Sequence, residues 1–459
     1  MNPTISEISN LQSTFVQEGS FSIKERKTIL KHLKNVIKNN ESAILQALNQ
    51  DLGKSEFEAF SSEIGFLYQE INLTLKNLSH WAADKRIISS ISLFPSRAKI
   101  QYVPFGKALI IAPWNYPFQL TIAPMIAALA AGNSVLLKPS ELTPNIANLI
   151  EKLIHENFDP KIARVVLGDG KVVIPQVFND FEPNIVFFTG STQVGKIIAK
   201  QAAESLVPSI LELGGKSPCI LDKTASLEVS VKRIVFGKCL NAGQTCVAPD
   251  YFIVHEKIKD DFILMYKEVV RDFYGADGGI NNPNYTRIIN ENHFNRLINL
   301  LDKTEILYGG NYSKEKLKIE PTLVSAELDS PIMKEEIFGP IAPVFTFINE
   351  EDIFPIIAKN SNPLSLYLFA NDTKLENSIL QKISFGGGSI NNTLMHIVEP
   401  ELPFGGIGNS GYGAYHGEYG FQAFSHKRSI VKTGNWFDLK QKYPPHSKGA
   451  LKLIKWLLN

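Results

Sequence analysis

The chain has 459 residues, 44% hydrophobic, 10% aromatic and 20% charged. That is enough apolar material to bury several cores, and it excludes global disorder. Forty-seven basic against 46 acidic side chains leave a formal +1, so the basic surface that neutralises nucleic-acid phosphates is missing and no nucleic-acid partner is expected.

In chain order, residues 1–10 lack the basic start and apolar stretch of a secretory signal. Residues 1–85 read as helical, since segments 23–37 and 41–48 carry apolar residues at helical spacing among Lys and Glu. From about residue 100 the pattern changes to short apolar runs at 108–112, 134–137, 163–167 and 184–188. They alternate with helical stretches near 119–131, 144–156 and 170–179. Such alternation predicts crossover units and a parallel sheet with helices on both faces, with ligands beyond the carboxyl ends of the strands. After 209–215 a second series follows, with helices near 226–240 and 259–272 and strands near 251–254 and 342–347. The fold class expected is therefore α/β, a Rossmann-like parallel-sheet domain interleaved with a second α/β domain. Segment 91–103 and the stretch beyond about 420 are β-prone and are expected to pair as an arm, with each other or with another subunit. The longest nearly apolar run, 121–131, is interrupted by Pro124 and falls far short of the roughly 20 residues that span a bilayer. Cys219, Cys239 and Cys246 suit neither a disulfide framework nor a zinc site, so no metal is expected and a reduced cytoplasmic interior fits best.

Two glycine patterns compete for the role of phosphate cradle. GIGNSG at 406–411 matches G-x-G-x-x-G by letter, but no strand precedes it and no helix opens after it, so it reads as a glycine-held loop. GSTQVG at 190–195 matches less well, yet it follows the strand-like run ending in FFT and opens a helical stretch. Free N–H groups and the positive end of the helix dipole would face an anion there. The alternative is an ordinary turn capped by Ser191 or Thr192.

Cys246 follows a Gly-Gln turn and precedes Val-Ala-Pro, outside any amphipathic pattern. A loop cysteine of this kind is a candidate nucleophile if backbone N–H groups or nearby charge favour its thiolate. Cys219 and Cys239 read as small buried hydrophobes. Glu212 ends an apolar run just before a double glycine; burial there would raise its pKa into the range of a useful base, the alternative being a pair with Lys216. Asn115 lies in a turn held by two prolines and is placed either to donate to an oxyanion or simply to make the turn. Lys138, at the end of a strand, is a solvated terminus or a ribose ligand.

Taken together, APWNYP, LLKPSE, FFTGSTQVG, LELGGKSP, NAGQTC and KEEIFGP, in this order, resemble the NAD(P)-dependent aldehyde dehydrogenase superfamily over about residues 100–430. The ending at 410–429 is most similar to its class 3 branch of fatty and aromatic aldehyde dehydrogenases. The resemblance implies Cys246 as nucleophile, Glu212 as the base that hydrolyses a thioester, and Asn115 with the Cys246 N–H as oxyanion hole. It further implies Lys138 and Glu141 on the adenosine ribose and 190–195 (Gly190, Ser191, Thr192, Val194, Gly195) at the pyrophosphate. Glu336, Phe338 and Trp114 are implied at the nicotinamide end. Phe338 is equally explained by core packing. NAD is the implied cofactor, with NADP possible, because Glu141 would repel a 2′-phosphate but relatives with such a segment use both. The implied domains are 1–90 with 104–212 for the cofactor and 213–410 for catalysis. Segments 91–103 and 411–440 would bridge subunits of a homodimer, and 441–459 would form a tail. Two other readings are a coenzyme A-acylating relative, against which Glu212 argues, and an inactive binding protein of the same fold. In the tail, Leu451, Ile454 and Leu458 share one helical face and Lys448, Lys452 and Lys455 another. That pattern suits a peripheral membrane contact, or packing on the protein itself or a partner subunit.

Overall fold

The computed structural model describes residues 4–17, 21–90 and 93–458; the side chains of 15–17, 457 and 458 lie outside this set. The expectations that touched residues 1–3, 18–20, 91, 92 and 459 and the Leu458 side chain therefore fall outside the described residues.

The helical preface forms as its spacing predicts. Helix Ile23–Asn39 starts at a capping box of Ser22 and Glu25 and buries Leu30, Leu33 and Ile37. Helix Glu41–Leu52 follows, then a short helix Glu56–Ala59 that runs through a π-helical turn, Phe60–Ile64, into Gly65–Trp81. The preface ends in a strand, Lys85–Ile87.

The first alternating series makes a six-stranded sheet. Its spatial order is Gly411–Tyr412, Ser209–Glu212, Ile185–Thr189, Lys107–Ile111, Ser134–Lys138, Ala163–Val165, all parallel except Gly411–Tyr412. The strand Lys107–Ile111 is buried at every residue, as strands covered on both faces must be. Strand order reverses on either side of it: the chain runs first toward Ala163–Val165 and then back to Ile185–Thr189. The crevice beyond Ile111 and Thr189 is therefore a topological switch point.

A seven-stranded sheet carries the second series, in the order Glu305–Tyr308, Thr322–Ser325, Ile341–Phe347, Tyr251–His255, Pro218–Leu221, Ser365–Phe369, Gly387–Ile390, with only Glu305–Tyr308 antiparallel. Cys219 and Cys239 are fully buried in its core, as small hydrophobes.

The β-prone flanks pair with each other. Ser96–Pro104 runs antiparallel to Ser425–Thr433 over nine residue pairs, with Lys85–Ile87 on its other edge. The arm thus begins at Lys85. Residues 411–423 belong elsewhere: Gly411–Tyr412 extends the six-stranded sheet, and helix Gly417–Ala423 packs on helices Gln119–Ala131 and Gly65–Trp81. In the tail helix, Lys448–Leu458, Ala450 is buried while Leu451 and Trp456 are exposed. Among the described residues no helix is long and apolar enough to cross a membrane.

Candidate active site

A cavity of about 910 Å³ opens at the switch point. Trp114 and Asn115 enter it from the turn after Lys107–Ile111, Thr189 to Thr192 from the next strand end, and Glu212 from the end of Ser209–Glu212. Cys246, Glu336 and Phe338 face the same space from the seven-stranded half. Lys138, Glu141, Val194 and Gly195 do not line this cavity. Lys138 and Glu141 sit one strand further out, paired with each other, and Glu141 Oε1 accepts from the Gly170 N–H at 3.3 Å. Val194 and Gly195 lie in the first turn of helix Thr192–Glu204, whose N-cap is Ser191. A Cβ on Gly195 would stand 2.4 Å from Leu213, so glycine is what lets helix and strand pack.

The Cys246 loop is tightly wound. Asn241 and Ala242 hold left-handed φ angles of 54° and 52° and Gly243 one of 73°, and a Cβ on Gly243 would meet the Gly339 carbonyl at 2.3 Å. Burial pushes the Cys246 thiol up, as do the carboxylates of Glu336 and Glu212, while the N–H groups of Cys246 and Val247 work the other way. Its thiolate therefore needs a proton acceptor or compensating positive charge nearby.

Glu212 is 2% exposed and among the described residues neither carboxylate oxygen has a hydrogen-bond partner, so desolvation raises its pKa well above the ordinary range. The pair with Lys216 does not form. Lys216 instead binds Asp250 and the carbonyls of Ile332 and Glu335. A buried carboxylate that is unpaired and borders a cavity can take a proton from a thiol or a water there.

Asn115 is 3% exposed, and its Nδ2 donates to the Gln244 carbonyl at 3.0 Å. An amide nitrogen carries two hydrogens, so the second remains for the cavity that Asn115 lines.

A Cβ at Gly190 would strike the Phe188 ring at 2.6 Å and one at Gly214 would meet Glu336 Oε2 at 1.9 Å, so backbone is bared where a bulky ligand must approach. Thr189 Oγ1 and both Glu212 oxygens are buried without partners. The Lys138 ammonium, only 3% exposed, and the Glu141 carboxylate stand at a strand end, where ribose hydroxyls would be recognised. These residues fit NAD or NADP. Among the described residues no cluster suits a metal ion.

Sequence reading missed the residues that hold the Glu336–Phe338 segment. His293 Nε2 contacts the Phe338 carbonyl at 2.7 Å, and Arg296 donates to the carbonyls of Ile337 and Glu336. Burial and the Arg296 charge lower the His293 pKa to about 4, so its ring is neutral. Trp114 meets Phe338 edge-on at 5.4 Å and His293 at 5.8 Å. No local pattern marks His293 or Arg296, since both sit on an ordinary amphipathic helix, Glu291–Leu301.

A switch-point crevice facing a loop cysteine and a buried free carboxylate fits an α/β enzyme that works with a nucleophile and a base. Residues 7–430 match the model of the aldehyde dehydrogenase family, and the chain belongs to that family, whose members oxidise aldehydes. It is 45% identical over 444 residues, 96% of each chain, to 4,4'-diaponeurosporen-aldehyde dehydrogenase of Staphylococcus aureus (strain NCTC 8325 / PS 47). It is 41% identical over 458 residues, 98% of this chain and 94% of the relative, to aldehyde dehydrogenase family 3 member H1 of Arabidopsis thaliana, which bears out the class 3 resemblance. The solved structure of the substrate-bound state of Staphylococcus aureus AldH superposes with a TM-score of 0.96 at 44% identity, covering 100% of both chains.

Proposed function

We propose that the chain converts aldehydes to carboxylic acids by covalent catalysis at Cys246. The Cys246 thiol gives its proton to Glu212, which passes it to solvent; the sulfur adds to the aldehyde carbon, and the carbonyl π pair moves onto oxygen, where the free Asn115 N–H and the Cys246 backbone N–H stabilise it. Bound NAD or NADP supplies the acceptor for the hydrogen and electron pair that leave that carbon, which becomes a thioester. Glu212 takes a proton from water as the water attacks the thioester, and the thiolate departs with its electron pair. The carboxylic acid is released. Cofactor binding falls to Lys138 and Glu141 at the adenosine ribose, 190–195 at the pyrophosphate, and Glu336, Phe338 and Trp114 at the nicotinamide end. Segments 1–84 and 105–212, outside the arm strands, form the cofactor domain and 213–410 the catalytic domain.

The single observation behind this reading is that Cys246, Glu212 and Asn115 border one cavity while Glu212 keeps both oxygens unpaired. A free buried base favours water over coenzyme A as acyl acceptor. The test is incubation with NAD or NADP, hexanal and no coenzyme A. Reduced cofactor and free acid should appear in equal amounts, and Cys246→Ser should lose both. No reduced cofactor across aliphatic and aromatic aldehydes defeats the reading.

Medium- or long-chain aliphatic or aromatic aldehydes are the proposed substrates, because Phe66, Phe236, Leu394, Met395, Val398 and Phe404 border the cavity and three of them, Phe236, Met395 and Val398, are exposed to an incoming chain. A homodimer is proposed because Ser425–Thr433 is a nine-residue edge strand with one side unpaired. A reducing cytoplasm suits the thiol chemistry. Peripheral membrane contact through Lys448–Leu458 rests on Leu451 and Trp456 lying exposed beside Lys452 and Lys455. Liposome flotation of the chain with and without 446–459 tests it, and equal flotation refutes it.

A further inference from the structure

The helical preface carries three acid–base side chains that the chemistry above leaves unused, Lys54, Glu58 and Glu63; Lys54 and Glu63 are buried and Glu58 half-buried behind the candidate site. Lys54 and Glu63 have fully buried side chains, paired at 2.5 Å. Lys54 Nζ also donates to the main-chain carbonyl of Asn115 at 3.0 Å and lies 4.0 Å from the Tyr116 ring centroid. The other oxygen of Glu63 accepts from the N–H groups of Phe118 at 2.9 Å and Gln119 at 3.2 Å. Glu58 reaches the opposite wall, accepting from the Asn241 N–H at 2.8 Å and from Thr286 Oγ1 at 3.0 Å.

Asn241 joins the two halves. Its Nδ2 donates to the Asn115 carbonyl at 2.8 Å and to the Gln244 carbonyl at 3.0 Å. Gln244 in turn donates to the carbonyls of Asn241 and Arg287 and accepts from the Ile289 N–H. One fully buried ammonium and two carboxylates therefore grip the turn that carries Asn115 and the left-handed start of the loop that carries Cys246. Burying ionisable groups is costly, and a hydrophobic filler would hold a fold as well. What the charged groups add is direction, because four of their bonds fix backbone atoms of the two walls, the Asn115 carbonyl and the N–H groups of Phe118, Gln119 and Asn241.

We propose that Lys54, Glu58 and Glu63 are positioning residues that hold the Asn115 amide and the Cys246 N–H in register as one oxyanion pocket. The proposal rests on the covalent reading above. Their work is to keep two donors, brought from separate domains by separate loops, within the narrow tolerance that transition-state charge demands. The preface is thereby part of the catalytic apparatus although none of its three residues touches substrate.

The test compares wild type with Lys54→Met/Glu63→Gln and with Glu58→Met. The first removes a buried charge pair together, so neither charge is stranded, and the new amide side chain keeps an acceptor for the Phe118 and Gln119 N–H groups. The second leaves Lys54 and Glu63 in place and removes both Glu58 bonds, to the Asn241 N–H and to Thr286 Oγ1. Both should show kcat lower by roughly 10- to 100-fold, the scale of a small misplacement at a reacting centre. NADH affinity, by fluorescence titration, and the rate of Cys246 alkylation by iodoacetamide should stay within about threefold of wild type. A kcat within twofold of wild type in both variants overturns the proposal. So does a loss shared equally by NADH affinity and alkylation, which marks general damage. Cys246→Ser, run in parallel, separates the two claims: if it keeps full turnover, the covalent reading itself has failed.

Discussion

The Asn115 side chain donates to the main-chain carbonyl of Gln244 at 3.0 Å, two residues before Cys246. That bond ties the turn after the first strand of one sheet to the cysteine loop of the other half, and it spends one of the two amide hydrogens. The remaining N–H is the one available to a developing oxyanion. Asn115→Ala should therefore lower kcat by roughly 100- to 1,000-fold, the usual loss for one oxyanion donor, with NADH affinity unchanged. Steady-state kinetics and fluorescence titration check it; a loss under tenfold would remove Asn115 from the mechanism.

Glu70 offers a prediction about stability and pH. Burial pushes its carboxyl up to about 7, only partly offset by the Gly417 N–H it accepts at 2.8 Å. With the folded value raised, its stabilising contribution is complete below the ordinary carboxyl pKa near 4.5 and is lost as pH climbs through 7. Glu70→Gln keeps the acceptor and discards the ionisation. The variant should be more stable than wild type by about 3 kcal/mol at pH 8 and equal to it at pH 4.5, as read by urea unfolding. An advantage of the same size at both pH values would contradict the cause assigned.

Cofactor choice should respond to Glu141, which lies beside Lys138 with 43% of its side chain open. Glu141→Lys exchanges a charge that repels a 2′-phosphate for one that attracts it. The ratio of kcat/KM with NADP to that with NAD should rise at least tenfold. An unchanged ratio would place the ribose elsewhere.

Gly195 should tolerate no side chain against Leu213. Gly195→Ala is expected to cost about 1–3 kcal/mol, and much less when made in a Leu213→Ala background, whose own cost is measured separately. Thermal unfolding of the single and double variants decides; additive losses would mean the two residues do not conflict.

Much of this architecture is legible in the sequence because the relevant signals are local. Short apolar runs alternating with helically spaced stretches marked the parallel strands and their helices. The context of GSTQVG, strand before and helix after, set it as the cradle candidate above the better-spelled GIGNSG; the strand and the helix, capped by Ser191, are there, while the glycines of GIGNSG hold a loop containing the short turn Gly408–Ser410. Chemistry that depends on distant partners was hidden. Nothing near Lys216 says that Asp250, 34 residues on, takes its charge and leaves Glu212 free. Likewise residues 1–85 read only as helical, and it takes the tertiary contacts with Asn115, Phe118 and Asn241 to give Lys54, Glu63 and Glu58 their place.

The central claim is that a thioester forms on Cys246 and that the buried, unpaired Glu212 is needed to hydrolyse it. Intact-protein mass spectrometry of Glu212→Gln after mixing with NAD and hexanal tests this directly. The account predicts one burst equivalent of NADH and a mass gain of one acyl group, lost when Cys246 is also replaced by Ser. Steady turnover by Glu212→Gln at the wild-type rate with no acyl adduct, or an adduct that survives Cys246→Ser, would contradict it.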